Sequence, residues 1–348
     1  MPGDADTLAR TLPKVVLHDH LDGSLRPQTL LELLRARGLE APTADAASLA
    51  AWFDARAHAG SLVEYLRGFA LTVAAMASPA ALERVAFEAA EDARLDAAVL
   101  GEFRIAPLLF EAHGVAPEAA VEAMLAGLAR SALPSGLILC TMREQPVALG
   151  ERVARLALRY RDRGVLAFDL AGAEHGHPPS EHAGALRIAR DGGLALTIHA
   201  GEADAGERVL EAVRLGALRI GHGVRLVDLL GTPAGEAALA ELRERGVHLE
   251  VCPTSNVHTG AAPSIAAHPI TALWRAGVSL SFHTDNRLMS QITHGGEAAT
   301  LLRETPLAAG DLLRMEIEAA RHSFLAAPAR QAAEAALRAW AARAGVSP

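Results

Sequence analysis

The chain is poor in the two residue types on which many metal and covalent sites are built. Of its 348 residues only two are cysteines, Cys140 and Cys252, each inside an apolar run. Neither a disulfide framework nor a cysteine-based metal cluster can be made from them, so any metal must be held by histidines and carboxylates. Lys14 is the only lysine, which excludes a Schiff-base lysine elsewhere. Positive charge is outnumbered by negative, with 33 Lys and Arg against 41 Asp and Glu. The formal net charge is -8, and nothing concentrates basic residues against a nucleic-acid backbone or an anionic membrane. The amino terminus has no basic region followed by a continuous apolar run, and no later stretch has the length of a membrane span. The expectation is a soluble cytoplasmic protein acting on a small neutral molecule.

What is present is a compact-protein balance, with 51% hydrophobic and 21% charged residues. The length allows one large barrel or two ordinary domains. Eight short Val/Leu/Ile-rich runs decide between these. They are KVVLHDH (14–20), AVLGEFRIAP (98–107), GLILCTM (136–142), VLAFDLAG (165–172), LALTIHAG (194–201), LRIGHG (218–223), VHLEVCPTSN (247–256) and VSLSFHTDN (278–286). Near-continuous apolar strands suit a parallel sheet buried on both faces. Between them lie segments such as ALERVAFEAAEDARL and GERVARLALRYRDRG, with apolar residues three and four apart. The pattern predicts a (β/α)8 barrel as one domain over 1–348. A helical insertion over 24–97 should lie across its mouth, with SLVEYLRGFALTVAAM as a candidate lid in which Tyr65 and Phe69 share a face. The tail reads as closing helices.

Polar residues gather at the carboxyl ends of these runs, where barrel enzymes place their chemistry. His18 and His20 are two apart, so a strand aims both imidazoles at one face. His199 and Glu202 end the fifth run, His222 the sixth, and Asp285 and Asn286 the eighth. Singly, each has a structural explanation: Asp285 could cap a helix and Glu202 could favour a helix dipole. Their joint position at strand ends argues for a site. Three neutral imidazoles and a carboxylate, His18, His20, His199 and Asp285, form a set suited to Zn2+ with a position left for water. The fourth run has no lysine to bridge two metals, so one ion per chain is expected. Glu202 and His222 remain for proton transfer. His58, His113, His182, His248, His258, His268, His294 and His322 are read as surface or packing residues, and the second pair, His175 and His177, as part of a loop.

The segments LHDHLDGSLRP, AGAE, TIHAGE, RIGHGV, CPTSN and HTDN, in this order from Pro13 to the closing helices, resemble adenosine deaminase, its bacterial members above all. The resemblance implies hydrolytic deamination of adenosine and 2′-deoxyadenosine. By it, Glu202 works at purine N1, and His222 orients and deprotonates the attacking water. His20, Asp22, Gly172 and Asn286 would contact substrate: Asp22 the ribose 5′-hydroxyl, the Gly172 backbone purine N3, and Asn286 purine N7. The usual Asn-Thr-Asp-Asp motif reads His283-Thr284-Asp285-Asn286 here, and His283 shares the inward face of Asp285. The paired HxE and PCxxC signature of the other zinc nucleobase deaminases is missing, because neither Cys140 nor Cys252 lies in a PCxxC. The alternatives are a deaminase of adenine, aminodeoxyfutalosine or a 5′-modified adenosine, and, further off, an ester or lactone hydrolase.

Overall fold

The computed structural model describes residues 5–58 and 62–347. At its centre are eight parallel strands: β1 Lys14–Val16, β2 Ala98–Ile105, β3 Ser135–Met142, β4 Val165–Ala171, β5 Ala195–Ala200, β6 Arg219–His222, β7 His248–Val251 and β8 Leu280–Phe282. Each pairs with its neighbour in sequence. A parallel bridge between Asp19 and Asp285 joins the ends of β8 and β1. There the Asp285 N–H donates to the His18 carbonyl at 3.1 Å, and the His20 N–H donates to the Asp285 carbonyl at 2.8 Å. The sheet is thereby closed into the expected (β/α)8 barrel. Several runs are shorter as strands than their sequence suggests, β8 with its three residues among them. The ladder of β1 stops at Val16, and β7 stops at Val251 because Pro253 lacks a ladder N–H and opens the helix Pro253–His258.

Most of the strands are apolar on one face and polar on the other, β1 and β3 being largely apolar on both. Phe103, Ile105, Phe168, Leu170, Ile198, Ile220 and Leu249 belong to a single buried cluster shared with the surrounding helices. The alternate positions carry Glu102, Arg104, Asp169, Thr197, Arg219, His248, Glu250 and Ser281, all buried. Burying these charges costs several kcal/mol per ion unless each finds partners. Arg104 therefore meets Asp169 at 2.9 Å and also Glu250, while Arg219 meets Glu102 at 2.7 Å and also Glu250. The barrel interior is an ion network beneath the rim, in place of the branched apolar layers common in this architecture.

The insertion forms four helices, Pro27–Ala36, Ala46–Ala57, Leu62–Met76 and Pro79–Leu95. The third is the candidate lid, and its Phe69 and Val73 line the main cavity. The side chain of Tyr65 lies outside the described residues. At the other end of the barrel, Glu102 accepts from the Ser323 hydroxyl and the Phe324 N–H, each at 2.6 Å. This tail segment joins the helices Ala309–His322 and Ala327–Ala344 and packs Phe324 under the Arg219 guanidinium. No single described helix is long and apolar enough to cross a membrane.

Candidate metal centre and active cavity

The strand ends bring His18, His20, His199 and Asp285 together, with one potential ligand atom from each inside a 4.8 Å cluster. His18 Nε2 and His20 Nε2 lie 3.2 and 3.4 Å from Asp285 Oδ1, and His20 Nε2 lies 3.2 Å from His199 Nε2. Two ligand bonds of about 2.0–2.1 Å meeting at a tetrahedral angle separate their donors by roughly 3.3 Å. The set therefore fits a small divalent ion.

The chemistry of the ring nitrogens agrees. His18 Nδ1 lies 2.8 Å from Glu250 Oε2, and His199 Nδ1 lies 3.0 Å from Asp169 Oδ1. A carboxylate accepts, so each ring donates from Nδ1 and turns the lone pair of Nε2 toward the cluster. His18 Nε2 is buried with no hydrogen-bond partner, an orphan that a metal would satisfy. Burial holds His20 well below its ordinary pKa, in the neutral form a ligand needs. Burial alone would raise Asp285, yet the His18 contact and the neighbouring histidines keep it well below the usual carboxylate range. Ser255 donates to its Oδ2 at 2.6 Å. Asp285 and His222 both have positive φ, at 60° and 63°. Such backbone is costly outside glycine and is held here at the site itself. Asp285 caps no helix, since the following helix Arg287–Ser290 has Asn286 at its cap position.

Next to this cluster lies a cavity of about 450 Å³, lined by Phe69, Val73, Leu109 and Met142 on its apolar side. Glu202, His222, Asp22, Gly172 and Asn286 also line it. Of the site residues expected from the sequence, all line this cavity except His18, which is fully buried within the ligand cluster. Glu202 Oε1 accepts from the Thr259 hydroxyl at 2.8 Å and from the Asn256 amide at 3.3 Å. Its other oxygen is 3.5 Å from His222 Nε2. Burial raises the Asp22 carboxyl to about 7, and its Oδ1 has no partner. Gly172 has φ of 93°, a backbone conformation that favours glycine, and a Cβ there would also fall 2.1 Å from Glu144 Oε2. At Gly23 a Cβ would meet Asn286 Oδ1 at 2.0 Å, which explains the glycine beside the Asp22 turn.

Several further residues shape the site without standing out in the sequence. Glu174 accepts from the N–H groups of Glu202, Ala203 and Asp204 at 2.9, 2.7 and 3.2 Å, and also from Gly201, and so fixes the loop that carries Glu202. Buried Arg143 ties β4 to β5 by donating to the carbonyls of Leu170 and His199. Asp169 and Glu250 orient two of the clustered histidines. Their signal was a charge inside an apolar run at the strand period. Among the histidines read as packing residues, His113 lines the cavity and His268 pairs with Asn256. His248 bonds Ser279 and Ser281 at 2.9 and 2.8 Å. The inward position of His283 is real but lies below the cluster, with Nε2 2.7 Å from Ser281 Oγ.

A family model described as "Adenosine deaminase" matches residues 13–340. An adenosine deaminase of Mycobacterium marinum is 43% identical over 333 residues, covering 91% of this chain and 91% of that protein. The solved structure of an N6-methyl-AMP deaminase from Arabidopsis thaliana has a TM-score of 0.82 at 26% identity, covering 97% of this chain and 99% of that one. An adenine deaminase from Arthrobacter aurescens, at 22% identity and a TM-score of 0.87, covers 95% of this chain and 100% of its own, and shares the fold.

Proposed function

The chain belongs to the adenosine deaminase family, and we propose that it acts as a single barrel domain of cytoplasmic purine metabolism with one zinc ion per chain. It converts adenosine and 2′-deoxyadenosine to inosine and 2′-deoxyinosine, releasing ammonia. His18, His20, His199 and Asp285 hold the ion. When bound, such an ion lowers the pKa of a coordinated water from its bulk value to about 7.

The chain's own groups do the rest. Glu202 Oε1 is already taken by Thr259 and Asn256, so proton exchange with purine N1 passes through Oε2. A proton delivered there relieves the charge that builds on the ring as oxygen adds to C6. His222, across from Oε2, orients the attacking water. The apolar wall of Phe69, Val73 and Leu109 excludes competing water from the purine. Asn286 donates to N7, the Gly172 N–H to N3, and Asp22 takes the ribose 5′-hydroxyl.

The observation that carries this reading is the charge of the cavity. Asp22 and Glu144 line it, and no lysine or arginine is among the described residues that do. A carboxyl such as Asp22 accepts from a hydroxyl, and a cavity so lined disfavours a 5′-phosphate, the more so once Asp22 ionises above about pH 7. That favours a nucleoside over a nucleotide such as the N6-methyl-AMP on which the Arabidopsis neighbour acts. A panel of adenosine, 2′-deoxyadenosine, adenine, aminodeoxyfutalosine and adenosine 5′-monophosphate, assayed for ammonia, is the test. The two nucleosides should be turned over with the highest kcat/KM, and a preference for the monophosphate or the free base would overturn the assignment.

A further inference from the structure

Behind the cavity wall, a run of hydrogen bonds leads from the backbone at Ile270 to His222 and fixes where each proton sits. The Ile270 N–H can only donate, and it lies 3.0 Å from His268 Nδ1. That ring nitrogen therefore carries a lone pair. His268 is buried, and burial pushes its pKa down to about 3. The ring is neutral, so its one proton is on Nε2. This N–H meets Asn256 Oδ1 at 3.2 Å. An amide oxygen only accepts, so the Asn256 NH2 group faces the other way, toward His222 Nδ1 at 3.0 Å and Glu202 Oε1 at 3.3 Å. The contact with Glu202 requires the same orientation independently, because the carboxylate oxygen there accepts.

The consequence reaches the reacting centre. His222 Nδ1 accepts from Asn256, so the neutral His222 ring has its proton on Nε2, the nitrogen turned toward Glu202 Oε2 and the cavity. We propose that Asn256 and His268 are positioning residues that hold His222 in its Nε2–H form, so that His222 meets the attacking water as a hydrogen-bond donor. The family resemblance implies a base at this position, and a base would need the opposite tautomer. That tautomer would turn the Asn256 oxygen toward His222 and set the Asn256 NH2 against the His268 N–H, two donors face to face, with a second oxygen against Glu202. A donor fixed in advance can steady negative charge on the incoming oxygen without rearranging during the reaction. It cannot take that oxygen's proton.

The inference rests on the reading of His222 as the residue that faces the water, but the tautomer belongs to the free zinc-loaded enzyme and is measured without substrate. Nitrogen-15 spectra of ring-labelled histidine, with the His222 signals identified by their loss in His222→Gln, report it directly. The wild-type protein should show His222 Nδ1 unprotonated and Nε2 protonated. Asn256→Asp offers only acceptors, so the proton should move to Nδ1. With zinc content unchanged, kcat should fall at least about tenfold while KM stays within about threefold. His268→Leu should give a mixture of tautomers and a lower kcat, and His268→Gln, whose amide can donate to Asn256, should restore most of the loss. An unprotonated Nε2 in the wild-type holoenzyme overturns the proposal, as does an Asn256→Asp variant with unchanged tautomer and kcat. If the tautomer is as stated and adenosine is not deaminated, the substrate assignment fails and the positioning network stands.

Discussion

Arg104 Nη1 donates to Asp169 Oδ2 across 2.9 Å in the barrel interior, with both side chains fully buried. The same guanidinium reaches Glu250, so one cation fixes the two carboxylates that orient His199 and His18. Removing it leaves two buried anions short of a partner, a change that costs about 3–5 kcal/mol. Arg104→Met should therefore lower Tm. It should also weaken zinc affinity by about 10- to 100-fold in competition with a chelator, the usual effect of disturbing groups behind the ligands. Unchanged zinc affinity would show that the two carboxylates hold their histidines unaided.

Glu202 stands outside the metal cluster, and its amide analogue fills the same space. Glu202→Gln should keep one metal per chain and lower kcat by at least about a hundredfold, since positioned proton transfer contributes about 10²–10⁴. Elemental analysis with steady-state kinetics checks both halves. Turnover near that of the wild type would remove Glu202 from the chemistry.

Asn286 replaces the aspartate usual at its position, and an amide NH2 donates to purine N7 at any pH, whereas a carboxyl must first be protonated. It lines the cavity and is 4% exposed. 7-Deazaadenosine, which lacks the acceptor, would leave a buried donor unpaired at a cost of about 1–3 kcal/mol, or roughly five- to a hundredfold in kcat/KM. Equal kcat/KM for the two nucleosides would show that Asn286 does not read N7.

Away from the site, Glu316 accepts from the Val15 N–H at 2.7 Å and thereby ties the helix Ala309–His322 to β1. Burial raises its carboxyl from 4.5 to about 8. The folded state thus keeps a proton that the unfolded chain loses. The stability this group adds is complete below about pH 4.5 and is lost as pH rises through about 8. Glu316→Gln cannot titrate. Its Tm relative to wild type should therefore rise by a few degrees between pH 5 and pH 9. Parallel Tm curves over that range would contradict the burial effect.

The sequence made some of this plain and hid the rest, for reasons that lie in geometry. His18 and His20 could be paired because a strand has a period of two, and His199, His222 and Asp285 could be joined to them because each ends an apolar run. Arg104 and Asp169 are 65 residues apart, and nothing local says that two charges in separate apolar runs will face one another inside a closed sheet. Glu174 is not legible in the sequence because its role is toward backbone N–H groups, which carry no side-chain signature. His268 looked like a packing residue until the fold set it against Asn256. Strand ends at Val16 and Val251 fell short of the apolar runs because hydropathy marks burial, which continues after the ladder stops.

Water supplies the oxygen that replaces the 6-amino group of adenosine in a hydrolytic deamination, and a single experiment measures it. Zinc-loaded protein is incubated with adenosine in isotopically labelled water, and the purine product is analysed by mass spectrometry alongside the ammonia released. The account predicts inosine carrying one labelled oxygen on the base, with one ammonia for each molecule formed. No ammonia from adenosine, or an inosine without label, would contradict it.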